Sequence, residues 1–149
     1  MELKKLKQIE TLTGKIIYHP AVNKKPDSFI DIVRIELSDE LTRIDFGVFP
    51  DTKKYCSDWW VHIHKESFIR PFGTTDKLQL IHAVNIPYAP SKYFFRSKTE
   101  CLPYTLYFPA LPKSIEMIDI IEKEGEPNCF NFYNIKLETI KRKVIFVNN

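Results

Sequence analysis

From Tyr104 to Leu137 the chain reads YTLYFPALPKSIEMIDIIEKEGEPNCFNFYNIKL, and its apolar residues recur at every second position. Tyr104, Leu106 and Phe108 alternate with Thr105, Tyr107 and Pro109. Ile115, Met117, Asp119 and Ile121 alternate with Glu116, Ile118, Ile120 and Glu122, apolar on both faces in the middle. Phe130, Phe132 and Asn134 alternate with Asn131, Tyr133, Ile135 and Leu137. Successive side chains on a strand point to opposite faces, so such runs build sheet with a buried face and fit no amphipathic helix.

The upstream chain supplies strands to cover that face. Strands are expected at Lys15–Tyr18, Phe29–Leu37, Thr42–Phe49, Asp58–Ile69 (one strand, or a strand bent near Lys65 and Glu66), Lys77–Val84 and Tyr93–Phe95, and downstream at Lys143–Val147. Ala21–Ser28, with Asn23, Pro26 and Asp27, reads as a loop, and Tyr93–Phe95 and Cys101–Pro103 flank a polar turn. Pro87 and Pro90 keep Asn85–Lys92 out of any central strand. About eight to ten short antiparallel strands punctuated by 10 prolines predict an all-β sandwich. At 149 residues the chain is read as an N-terminal arm over 1–14, flexible or a short helix, and one sandwich domain over 15–149. Val33, Ile35, Phe46, Val61, Ile63, Leu106, Phe108, Ile118, Ile120 and Phe130 are the expected core.

A net charge of +3, with lysines spread along the chain and no compact arginine run, argues against nucleic acid as partner. No apolar leader and no transmembrane run is seen, so the cytoplasm is the default compartment, or export if a leader has been trimmed. Cys56, Cys101 and Cys129 are too widely spaced for a zinc finger, and their odd number prevents complete pairing. Free thiols are expected, with one disulfide between an unassigned pair as the alternative in an exported protein.

Trp60-Val61-His62-Ile63-His64-Lys65-Glu66-Ser67-Phe68-Ile69 resembles the W-I-x-I-x-K-x-T-Y-L strand of small immunoglobulin-like β-sandwich domains of unknown function, common in Bacteroidota proteins. Leu106–Ser114 with Ile118–Glu122 is similar to their F-x-P-L-P…D-F-I-E signature, and Cys129–Ile135 to their closing aromatic strand. The resemblance runs over Phe29–Leu137. It implies an immunoglobulin-like shape, a role accessory to other domains, and no catalytic residues or cofactor.

His62 and His64 lie two apart on a strand and share one face, as in some metal-binding barrels. His82, Glu66 or Asp58 could supply a third ligand. Two imidazoles do not make a closed zinc site, which needs four ligands, so no structural metal is expected and folding should be indifferent to chelators. Of Trp59 and Trp60, one should enter the core. Tyr55, Trp59, Phe72 and Tyr88 could form an aromatic platform for a ligand. There is no G-x-S-x-G and no glycine-rich phosphate loop. Asp119, amid isoleucines, is expected to accept backbone hydrogen bonds at a bend. These residues favour a non-catalytic binding or interaction module for a protein or glycan ligand. The rival readings are a metal-dependent β-barrel enzyme using His62, His64 and His82, and an assembly protein that pairs through a sheet edge as an oligomer.

Overall fold

The computed structural model describes residues 14–26, 29–50, 59–126 and 129–138. Where apolar and polar residues alternate without interruption, the chain pairs in long ladders. β3 (Ile30–Leu37) and β4 (Leu41–Val48) form a hairpin, and β4 then pairs along its whole length with β10 (Leu102–Pro109). β1 (Lys15–Tyr18) and β8 (His82–Val84) complete this antiparallel sheet in the order β1-β3-β4-β10-β8. The hairpin turn is closed by Ser38, whose hydroxyl accepts the Leu41 N–H at 3.1 Å while its own N–H reaches the Leu41 carbonyl at 3.0 Å.

The second antiparallel sheet has the order β2-β12-β11-β6-β7, from β2 (Val22–Lys24), β6 (Phe68–Pro71), β7 (Leu78–Gln79), β11 (Met117–Ile121) and β12 (Phe132–Lys136). The two sheets pack face to face as a β-sandwich. Phe46 meets Phe132 across the interface with ring centroids 5.8 Å apart, and Ile35, Ile44 and Leu106 oppose Ile118, Ile120 and Ile135 in one buried cluster. A two-stranded ribbon of β5 (Trp60–Val61) and β9 (Tyr93–Phe94), with a bridge between Ile63 and Tyr88, adds Val61, Ile63 and Phe95 to that core. Among the described residues no helix is long and apolar enough to cross a membrane.

Several boundaries differ from the expectation, each for a physical reason. The described chain holds twelve strands rather than eight to ten. Val33 is 37% exposed, because β3 loses register between Ile32 and Arg34. This bulge puts Ile30, Ile32 and Ile35 inside, while the Val33 carbonyl accepts the His19 N–H at 2.9 Å. The other nine expected core residues are buried. Lys77–Val84 is two strands, since the chain leaves one sheet after Gln79 and enters the other at His82. Val22–Lys24, read as loop, is a short edge strand against β12. Tyr93–Phe94 and Leu102–Pro103 flank a polar turn over 96–99, as expected, but the second flank runs on as β10; β8 pairs only with Thr105–Tyr107, so Pro103 lies beyond the partner that would need its N–H. The bend at Lys65 and Glu66 forms, separating β5 from β6. The predicted Lys143–Val147 strand, and the arm apart from Gly14, lie outside the described residues.

Candidate functional site

Two irregular segments meet at the site. The first is Trp60–His64. Val61 and Ile63 are buried in the core, and Ile63 is held on both sides, its N–H on the Pro87 carbonyl at 3.0 Å and its carbonyl on the Ala89 N–H at 2.9 Å. Strand alternation then sets Trp60, His62 and His64 in file on the other face. The Trp60 and His62 rings meet edge to face at 4.8 Å, and the His62 and His64 rings at 5.0 Å. Lys92 places its ammonium 4.4 Å from the Trp60 ring centroid, a cation–π contact.

The second segment is the end of β11. Ile118, Ile120 and Glu122 share the inward face, so the strand that supplies core isoleucines ends by burying a carboxylate, 4% exposed. Asn131 fixes that end: its side-chain oxygen accepts the Glu122 and Lys123 N–H groups at 2.9 and 3.2 Å, and its amide donates to the Lys123 and Glu126 carbonyls. One Glu122 oxygen accepts the His64 backbone N–H at 3.2 Å and lies 2.9 Å from His64 Nδ1. The other accepts the Phe130 N–H at 2.8 Å. Among the described residues no lysine or arginine pairs with it; its ion-pair partner is His64, which is one only when protonated.

Burial pushes the His62 imidazole below its ordinary pKa, aided by nearby His64 and Lys92 and opposed by Glu122 and the Ser91 backbone. The neutral ring with a free lone pair is thereby favoured. Burial, with the Glu122 charge and hydrogen bond adding to it, pushes the Cys129 thiol up to about 11. Tyr104 is raised well above the usual phenol by burial and then by Glu122.

Beside this group is a hollow of about 310 Å³, lined among the described residues by Phe29, Phe49, Trp59, Trp60, His62 and Glu122, with Val48, Val61, Cys129 and Phe130. Phe29, Phe49 and Trp60 are 47%, 44% and 39% exposed. Of the expected platform, Trp59 lines the hollow while packing half-buried on the core, so Trp60 is the more exposed tryptophan. Phe72 stands exposed in the turn after β6 and is not part of the lining. Tyr88 packs against the core, its hydroxyl accepting the Ala83 N–H at 3.0 Å. Tyr55 lies outside the described residues, as does Asp58.

The third member of the histidine group is not the one expected. His62, His64 and Glu122 bring ligand atoms within 4.8 Å of one another, whereas His82 stands on β8, stacked on Tyr107, and Glu66 is exposed in the bend. The signal for Glu122 was in the sequence: a carboxylate two residues beyond Ile120 on the apolar face. Asp119 is the other carboxylate that β11 places. It accepts the Asn134 N–H at 2.8 Å and pairs with Arg70 at 3.0 Å, at the bend where β11 and β12 lose register. Compared with known proteins, the chain matches no family model, no curated protein and no solved structure.

Proposed function

We propose that the protein is a non-catalytic binding module whose ligand seat is the aromatic hollow beside Glu122. The observation that carries this reading is the set of exposed rings of Phe29, Phe49 and Trp60 around the hollow, over a floor that contains the His62 imidazole and the Glu122 carboxylate. Rigid aromatic faces take the C–H faces of a ligand with little loss of side-chain freedom, and polar atoms beneath them accept hydroxyl protons. Its volume is at the lower end of the roughly 300–1,000 Å³ typical of ligand pockets. That suits a single ring or chain end, and a glycan terminus is the ligand class we favour. The motifs of Trp60–Ile69 and Leu106–Glu122 support the further proposal that the module is an immunoglobulin-like domain accessory to others.

Both tryptophans of the chain line the hollow, so intrinsic fluorescence reports on it directly. A panel of monosaccharides, oligosaccharides and short peptides should contain at least one compound that changes the emission saturably, and Trp60→Ala or Phe49→Ala should abolish its binding in isothermal calorimetry. A panel without any response, or a response that both variants leave intact, would remove the hollow as the seat.

A further inference from the structure

We infer that His62, His64 and Glu122 form a binding site for one divalent transition-metal ion, with zinc the best-suited member of that class. The site stands independently of the binding reading above, since none of its three residues needs an organic ligand to converge.

Convergence is the first observation. The histidines and the glutamate come from elements almost sixty residues apart in sequence, His64 and Glu122 being separated by 58, yet their donor atoms lie within 4.8 Å. Zinc donors about 2.1 Å from the ion are roughly 3.4 Å from one another, so a pair at the 4.8 Å limit has to draw in by about 1.4 Å, a distance that imidazole rotation supplies. The backbone beneath is fixed on both sides, Ile63 by backbone hydrogen bonds to Pro87 and Ala89 and the Glu122 N–H by the Asn131 side-chain oxygen.

The second observation is an orphaned atom. His62 Nδ1 is buried and has no hydrogen-bond partner among the described residues. Buried polar atoms are almost always paired, so an exception asks for an explanation. A purely structural role accounts for the His64–Glu122 hydrogen bond, which occupies one ring nitrogen of His64 and leaves the other free. It does not account for His62, whose ring packs against His64 and keeps a buried nitrogen without a hydrogen-bond partner among the described residues.

Charge is the third. Glu122 is a buried carboxylate without a lysine or arginine partner among the described residues, compensated by backbone N–H groups and His64. Two imidazoles and one carboxylate make a site with a net negative charge when both rings are neutral, and a divalent cation is the natural complement. The donor set also names the class. Calcium and magnesium demand six or more oxygens. Nitrogen with one carboxylate oxygen suits zinc and its neighbours, and three protein ligands leave a position for water or another group. His62 and Glu122 line the hollow, so that position faces it.

The test uses the full, untagged chain, stripped with EDTA and dialysed. Zinc titration by calorimetry, with no sugar or peptide present, should show one ion per chain, and added cobalt(II) should give the visible absorption of a low-coordinate nitrogen–oxygen site. His62→Ala and His64→Ala should each lower zinc affinity by more than the roughly 10–100-fold that loss of an outer partner of a ligand costs. His82→Ala and Glu66→Gln should leave it unchanged. Both histidine changes are at half-buried positions, and circular dichroism checks that each variant is folded; Glu122→Gln is the third arm where it folds. Absence of saturable zinc or cobalt uptake overturns the inference. So does binding that survives the double change His62→Ala with His64→Ala, or binding that His82→Ala removes. A positive metal titration beside a silent sugar panel would retain this site and discard the ligand seat, and the reverse result would do the opposite.

Discussion

Along β4 and β10, eight consecutive residue pairs stay in register from Leu102↔Val48 to Pro109↔Leu41, and every second residue of β10 is buried. β11 and β12 pair for a shorter distance and lose register between Ile118 and Ile120, where Asn134 adopts a positive φ of 54°. The first ladder holds core residues on its inner face and no buried carboxylate. Each ladder carries a half-buried aspartate, Asp45 on β4 and Asp119 at the β11 bulge, but the second ladder alone leads into a buried carboxylate, Glu122 just beyond its end. Unbroken alternation makes a scaffold, and breaks in alternation expose backbone N–H groups that a carboxylate or amide must satisfy. The polar groups of the candidate site collect at such breaks.

If this division holds, the largest stability loss lies in the regular ladder. Phe108→Ala, at a fully buried position on β10, should cost about 3–5 kcal/mol in chemical denaturation, from lost transfer energy and the cavity left behind. Ile120→Ala, on the inner face of β11, should cost about 2–5 kcal/mol. A loss below about 1 kcal/mol at both would mean that the strands are one residue out of register, since such a slip turns every side chain to the other face.

The scaffold should fold without the ion that the irregular end is inferred to bind. After EDTA treatment the chain should still melt cooperatively, and free zinc at about a hundred times its Kd should then add about 2.7 kcal/mol by mass action. A melting transition that vanishes with EDTA would make the metal part of the scaffold and erase the contrast between the two regions.

Asn131→Ala tests the irregular end itself. It removes the acceptor of two N–H groups and the donor to two carbonyls, so a loss of about 1–3 kcal/mol is expected. Asn134 tests the bulge. Asn134→Gly should be tolerated, whereas Asn134→Val forces a β-branched residue into the left-handed region and should cost about 1–2 kcal/mol in the same denaturation assay. Equal stability of the two variants would show that the bulge relaxes in solution.

The regular half of the molecule was legible in the sequence and the irregular half was not. Tyr104, Leu106 and Phe108 alternate cleanly, and Phe46 and Ile44 opposite them do the same, so the sheet and its buried face followed from period two alone. The bulge at Val33 could not be read this way, because Phe29–Leu37 carries apolar residues in both alternating sets and either set fits a core. The crossing from Gln79 to His82 was hidden for the same reason: Leu78, Leu80, Ile81 and Val84 fall in both alternating sets, so no break in the strand pattern marks it. At the site, the pairing of His62 with His64 followed from their spacing. Glu122 did not, since it is brought to them by sheet packing over 58 residues rather than by any local pattern. It could still have been suspected, because a glutamate continuing the Ile118 and Ile120 face must be buried or must break the strand.

The smallest expected effect is on chemistry rather than stability, and it probes how closely Cys129 is packed beside Glu122. Burial first, and then the carboxylate's charge and hydrogen bond, raise the thiol to about 11. A raised thiol pKa keeps the proton on sulfur through neutral and mildly alkaline conditions, and only the thiolate is alkylated. At pH 8 the reactive fraction is therefore on the order of one in a thousand, rising about tenfold per pH unit until pH approaches the pKa. Iodoacetamide at pH 8, followed by peptide mapping, should label the exposed Cys101 long before Cys129, and at pH 9.5 the lag should shrink. Glu122→Gln removes the nearby charge and leaves the burial, so it should speed Cys129 labelling while leaving Cys101 as it was. Equal labelling of the two thiols at pH 8 would place Cys129 in water, away from the carboxylate. The turn between β11 and β12 would then be looser than the Asn131 and Glu122 hydrogen bonds require.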